Sequence, residues 1–164
     1  MHRSSILLLV PDAEPLVGEL RRKYDPSSPA GIGAHITVMF PFVPAPVIDD
    51  SVIARIQVGG GPLALVFDRV ERFPGLVYLA LADARPVIEL MRTLQAAWPQ
   101  YPLYEGKYPE AIPHLTVAHG DDDVLDAVTR ELALELPLVT TIEFATLMCE
   151  DESSHWHERA RFAL

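Results

Sequence analysis

The chain has 164 residues, of which 49% are hydrophobic and 8% aromatic, enough for one globular domain (residues 1–164) with a sizeable core. Its formal net charge is −10, from 13 basic and 23 acidic side chains. This balance disfavours proteins that track long nucleic acids, because their grooves need clustered lysine and arginine. No apolar run approaches the ~20 residues that span a bilayer, so we expect no membrane partner.

The first half of the chain predicts the order strand, helix, strand, helix, strand. Runs of apolar and β-branched residues predict strands at residues 4–10, 34–40 and 63–73. Asp12 is placed to cap a helix that ends at the basic run 21–23, where cations suit the helix dipole. A loop rich in glycine, serine and proline follows over residues 25–33, and Asp49 begins a second, short helix.

The second half repeats this order. Residues 74–75, a Pro-Gly pair, predict a hairpin turn into a strand. The apolar residues of 85–98 recur every three or four positions, which predicts a helix. Three aspartates at 121–123 are better explained as the cap of a further helix than as a cation site. The remaining strands are predicted at residues 76–81, 113–119, 138–148 and 155–162.

Two of the predicted strands carry the same short motif, a histidine and a threonine two positions apart. The motifs are His35-Ile-Thr37 and His114-Leu-Thr116. Residues i and i+2 of a strand point to the same face, so each copy presents an imidazole beside a hydroxyl while the residue between them points into the core. A neutral histidine can take a proton from a nucleophile and a protonated one can give a proton to a leaving group. This is the chemistry of phosphodiester cleavage without a metal.

The paired motifs resemble those of the two-histidine (2H) phosphoesterases, which include 2'-5' RNA ligase-like proteins and cyclic phosphodiesterases. The stretch from His35 to Pro44 is especially similar to the 2'-5' RNA ligase branch. The resemblance implies an α+β fold, with two pseudo-symmetric lobes of antiparallel sheet and outer helices around a central cleft. It also implies hydrolysis of 2',3'-cyclic phosphates of nucleotides or RNA ends, with no cofactor.

In that reading His35 and His114 are the catalytic acid and base, in either order, and Thr37 and Thr116 bind the phosphate. Residues 99–113 form a loop that brings further candidates for substrate contact, Tyr104, Lys107 and Tyr108. Their use could be stacking on a base or simply packing of the loop. The expected partner is a small nucleotide or a short RNA end, bound by a monomer.

Two alternatives remain open at this stage. A metal-dependent hydrolase could use His155 and His157, although no cysteine pair or helical His-Glu motif supports a metal site. A nucleotide-binding module without turnover could use the same pocket. The single cysteine, Cys149, cannot form an internal disulfide, and this favours the reducing cytoplasm.

Overall fold

The computed structural model describes residues 2–164, which form two four-stranded antiparallel sheets accompanied by α-helices. The strands are β1 (Ser4–Leu9), β2 (His35–Met39), β3 (Leu63–Phe73), β4 (Leu76–Leu81), β5 (His114–His119), β6 (Leu138–Ile142), β7 (Phe144–Glu150) and β8 (Trp156–Ala163). The α-helices are α1 (Glu14–Tyr24), α2 (Asp50–Arg55), α3 (Arg85–Ala97) and α4 (Asp122–Ala133). Short 3₁₀ turns lie at Pro11–Ala13, Ala45–Val47 and Leu103–Gly106.

The two sheets have equivalent strand orders. The first sheet runs β2-β1-β7-β8 and the second runs β5-β4-β3-β6. In both, the strand that carries the His-x-Thr motif lies at one edge and pairs antiparallel with the strand before it in the chain. A helix connects each of these pairs, α1 in the first sheet and α3 in the second. The predicted α+β fold with two pseudo-symmetric lobes is therefore confirmed.

The division of strands between the sheets does not follow the two halves of the chain. β3 belongs to the second sheet. After β6 the chain leaves the second sheet, and β7 lies in the middle of the first. The prediction of one strand over residues 138–148 was wrong, because the chain breaks at Glu143 and its two parts enter different sheets. Strand propensity is high on both sides of Glu143, so local sequence gives no sign of the change of sheet.

The motif strands β2 and β5 are positioned by the packing of their buried faces and by contacts with helices. Ile36, Val38, Leu115 and Val117 are fully buried, as the alternation predicts. Helix α1 contacts β5 and helix α3 contacts β2, so each connecting helix covers the motif strand of the opposite sheet. The two motif strands also contact each other. Because each helix packs on the opposite sheet, the two sheet edges that carry the motifs lie next to each other.

Two of the three predicted aspartate caps are confirmed. The side chains of Asp49 and Asp121 accept hydrogen bonds from backbone N–H groups in the first turns of α2 and α4. The prediction for Asp12 was wrong, since α1 has no side-chain cap. The Asp12 carboxylate instead accepts a hydrogen bond of 2.7 Å from the Thr140 hydroxyl and so links the start of α1 to β6.

No helix in the part of the chain that the structure describes is a candidate for insertion into a membrane. None of the helices within residues 2–164 combines the length and the apolar character of a bilayer span.

Candidate active site

Both motif histidines are held by the same local hydrogen bond. Nδ1 of His35 lies 2.8 Å from the Gly33 carbonyl oxygen, and Nδ1 of His114 lies 2.7 Å from the Ile112 carbonyl oxygen. A carbonyl only accepts, so Nδ1 of each ring carries the proton that is donated. Nε2 of each ring is then the nitrogen left to exchange protons with a ligand. Two separate stretches of sequence thus build the same orientation of the imidazole.

The threonines share the faces of their strands with the histidines. On β2, His35 lies opposite Leu9 and Thr37 lies opposite Leu7 of β1. On β5, His114 and Thr116 lie opposite Ala80 and Tyr78 of β4. All four motif side chains are partly exposed, while their neighbours on the other face are buried. The structure therefore brings two imidazoles and two hydroxyls to the junction of the sheets.

The environment favours the neutral form of both histidines in the free protein. Burial lowers the pKa of His35 to about 4. The positive charges of Arg21 and His114 add to this shift, and the hydrogen bond to Gly33 and the negative charge of Asp25 oppose it. Burial also lowers the pKa of His114, although the bond to Ile112 partly offsets the effect. The mutual effect of the two rings means that protonation of one disfavours protonation of the other.

His114 lies against two aromatic rings that the sequence did not single out. Its ring centroid is 5.1 Å from that of Phe73 and 5.4 Å from that of Tyr78, and Phe73 stacks on Tyr78 at 4.4 Å. These residues come from the β3–β4 hairpin, next to β5 in the second sheet. The sequence predicted the hairpin, but it did not predict which strand would pair with the motif. The two rings meet the imidazole in T-shaped contacts and so fix its orientation.

Two cavities flank the motifs, one beside each histidine. The cavity beside His114 has a volume of about 440 Å³ and a mostly apolar lining that includes Phe73, Leu76, Tyr104, Tyr108 and Ile112. The cavity beside His35 is smaller, about 300 Å³. It is lined by residues of both apolar and polar type, among them Arg3, Ser5, Ser27, Thr37, Phe40 and Trp156.

A buried ion pair fixes the loop that precedes His35. Arg21 is 1% exposed, and its guanidinium donates to the carboxylate of Asp25 at 3.0 Å and to the Ile32 carbonyl at 3.2 Å. The Glu14 carboxylate accepts from the Ala34 backbone N–H at 2.6 Å. Arg21 and Glu14 both belong to α1, and their hydrogen bonds to Asp25, Ile32 and Ala34 hold residues 25–34 against that helix. The sequence suggested only that Arg21 was a cation at a helix end, because the burial of its side chain depends on how the following loop folds back over α1.

The loop of residues 99–113 places its three predicted contact residues differently. Tyr104 and Tyr108 line the cavity beside His114, with ring centroids 5.8 Å apart. Lys107 lies outside that lining, and its ammonium group forms an exposed ion pair with Glu105. Contact of these residues with a substrate stays a prediction. Cys149 is buried in β7.

The alternative metal site has little support from the arrangement of side chains. Within residues 2–164, no three histidine, cysteine, aspartate or glutamate side chains come together in a way that could hold a metal ion. His155 lies before β8, and its imidazole is close to Gly31, where a β-carbon would come within 2.6 Å of Nε2.

The chain is similar to known proteins over nearly its whole length. A family model described as the 2'-5' RNA ligase superfamily matches residues 9–153. A crystal structure of Escherichia coli LigT complexed with 3'-AMP superposes with a TM-score of 0.69 at 16% identity, covering 99% of this chain and 98% of that one. LigT complexed with ATP gives a TM-score of 0.66 at 19% identity, with 99% and 98% coverage. No curated protein sequence matches. At these identities the superpositions show a common fold.

Proposed function

The chain belongs to the 2'-5' RNA ligase superfamily, and from that premise we propose that it is a metal-independent phosphoesterase that hydrolyses 2',3'-cyclic phosphates of nucleotides or RNA ends. The observation that carries this proposal is the equivalence of His35 and His114. Each imidazole donates from Nδ1 to a carbonyl two residues earlier, which leaves two Nε2 atoms for proton transfer. A pair of this kind can activate water and protonate the departing ribose oxygen.

We assign the base to His35 and the acid to His114. The pKa of His35 is lowered to about 4, so at neutral pH its Nε2 is free to accept a proton from water. Arg21 does not lower the pKa of His114 as it does that of His35, and a bound phosphate anion would favour the protonated form of His114. Thr37 and Thr116 would donate hydrogen bonds to the non-bridging oxygens as charge develops on them.

The two cavities suggest how a nucleotide would be held. The apolar cavity beside His114 has the rings of Tyr104 and Tyr108 in its wall, which suits a base. Complexes of LigT with 3'-AMP, ATP and NADP⁺ support a nucleotide as the ligand class. The net charge of −10 favours a small nucleotide or a short RNA end over long RNA. We expect a cytoplasmic monomer, in line with the single buried cysteine.

Product analysis tests the proposal directly. The protein is incubated with the four nucleoside 2',3'-cyclic phosphates and with an oligonucleotide that ends in a cyclic phosphate, with and without excess chelator. We expect conversion to a phosphomonoester that is unaffected by the chelator. Loss of activity with chelator would favour the metal-dependent alternative. Binding of 3'-AMP without turnover of any substrate would favour a nucleotide-binding module.

The pH dependence of kcat/KM is expected to be bell-shaped with its maximum on the acidic side of neutrality. Activity should rise as His35 loses its proton near pH 4 and fall as His114 loses its proton below 6.5, because burial lowers the pKa of both rings. The profile of kcat should lie at higher pH, since a bound phosphate anion raises both pKa values.

The profile is measured with a cyclic mononucleotide, and circular dichroism at each pH verifies that the protein stays folded. A kcat/KM that is highest above about pH 7 would contradict this assignment of the two histidines.

A further inference from the structure

Tyr104 occupies a position that joins the two motifs. Its backbone N–H donates to the Phe40 carbonyl at 2.6 Å, directly after the strand of the first motif. Its ring lines the cavity beside His114 of the second motif. Its hydroxyl lies near that of Thr37.

The backbone that carries Tyr104 is strained. Tyr104 and Glu105 have φ angles of +49° and +58°, and Gly106 follows at +71°. Consecutive non-glycine residues in the left-handed region are uncommon, because the β-carbon crowds the backbone there. Strain of this type persists where the surroundings hold a side chain in place, and it concentrates at ligand sites.

The loop is anchored just before the strained turn. Gln95 of α3 accepts from the Leu103 backbone N–H at 2.8 Å and donates to the carbonyls of Trp98 and Tyr101. These bonds, together with the contact to Phe40, fix the chain up to Tyr104. A rigidly held side chain can be placed accurately against a ligand, which a mobile loop cannot do.

We propose that the Tyr104 hydroxyl is a third hydrogen-bond donor to the substrate phosphate, acting beside Thr37. This inference rests on the proposed function, since it assigns Tyr104 to the same phosphate. Burial raises the pKa of Tyr104 to about 12, although the nearby Thr37 hydroxyl lowers it somewhat. The phenol therefore keeps its proton over the working pH range and remains a donor. In the simpler alternative, the ring of Tyr104 only forms part of the wall of the cavity beside His114, and its hydroxyl has no role in binding.

Replacement by phenylalanine separates the two roles, because Tyr104→Phe keeps the ring and removes only the hydroxyl. The matched control is Tyr101→Phe, on the same loop, whose ring packs on Phe42 and lies outside the linings of both cavities. Calorimetric titration with 3'-AMP and with adenosine compares ligands with and without a phosphate. We expect Tyr104→Phe to weaken 3'-AMP binding roughly 10-fold, as for a lost hydrogen bond to a charged group, and to leave adenosine unchanged.

Tyr101→Phe should leave both affinities within about twofold. The inference is overturned if Tyr104→Phe binds 3'-AMP as tightly as the wild-type protein, or if adenosine binding falls equally. It is also overturned if the wild-type protein does not bind 3'-AMP at all. These titrations need no turnover, so they decide on Tyr104 even if no cyclic phosphate is hydrolysed and the proposed function fails.

Turnover of substrate analogues gives a second measurement, which would not change if Tyr104 had only a structural role. The two diastereomers of a 2',3'-cyclic phosphorothioate place sulfur at one or the other non-bridging position. If Tyr104 and Thr37 contact the same oxygen, Tyr104→Phe should lower kcat by about 10²-fold with the normal substrate and change the ratio of rates for the diastereomers. An unchanged kcat and an unchanged ratio in an active enzyme would overturn the inference.

Discussion

Replacing either His35 or His114 by alanine is expected to lower the rate of cyclic phosphate hydrolysis by about 10²–10⁴-fold, the usual contribution of a general acid or base. Each variant loses one of the two Nε2 atoms to which the proposed mechanism assigns proton transfer, while the threonines and the cavities remain. The double variant should be little worse than the poorer single one, because an acid and a base that act in one step form a unit. Steady-state kinetics with a cyclic mononucleotide measure all three rates.

The matched control is His119→Ala, which removes an exposed histidine from the end of the same strand as His114. Its rate should stay within about twofold of the wild-type value, because surface changes away from a site have small effects. Thr37→Ala and Thr116→Ala should cost less than the histidine variants, since each removes one phosphate contact and leaves the acid–base pair. A His114→Ala protein that is folded and fully active would exclude the two-histidine mechanism.

Those histidines could be found from sequence because their signal is local. A His-x-Thr tripeptide within an apolar, β-branched run shows both the strand and the face on which His35 and Thr37 lie. The hairpin of β3 and β4 and the helix α3 were also predicted, because turn residues and a regular apolar spacing define them within a few positions. Local patterns of this kind depend little on the rest of the fold.

Features that depend on distant contacts were not predicted. The crossing at Glu143 separates two good strand sequences without a glycine or a proline, so only the pairing of β6 with β3 and of β7 with β1 reveals it. Phe73 and Tyr78 became part of the site because β4 pairs with β5. Tyr104 was predicted only as an aromatic loop residue that could contact a substrate, whereas its left-handed backbone and its position near Thr37 follow from tertiary packing. Strand pairing and loop anchoring are set by the whole chain.

Arg21→Ala is expected to lower the free energy of unfolding by about 3–5 kcal/mol, the typical cost of removing one partner from a buried ion pair. Asp25, which is 4% exposed, would be left as a buried charge without its main partner, and the Ile32 carbonyl would lose its donor. Urea denaturation measures the loss. The matched control is Arg22→Ala, since Arg22 is 64% exposed and its pair with Glu19 lies in solvent. That variant should stay within about 0.5 kcal/mol of the wild-type value.

A double variant separates the ion pair from simple packing. Arg21→Met removes the charge and keeps much of the volume, and Asp25→Leu removes the partner carboxylate. If the unpaired carboxylate causes the loss, the double variant should be more stable than Arg21→Met alone, because neither charge then remains buried. Stability that falls further in the double variant would show that the bonds of Asp25 to Ser27 matter more than its charge. In either case residues 25–34, including the Gly33 carbonyl that orients His35, lose an anchor. The rate of hydrolysis should therefore fall in Arg21→Met even under conditions where the protein is fully folded.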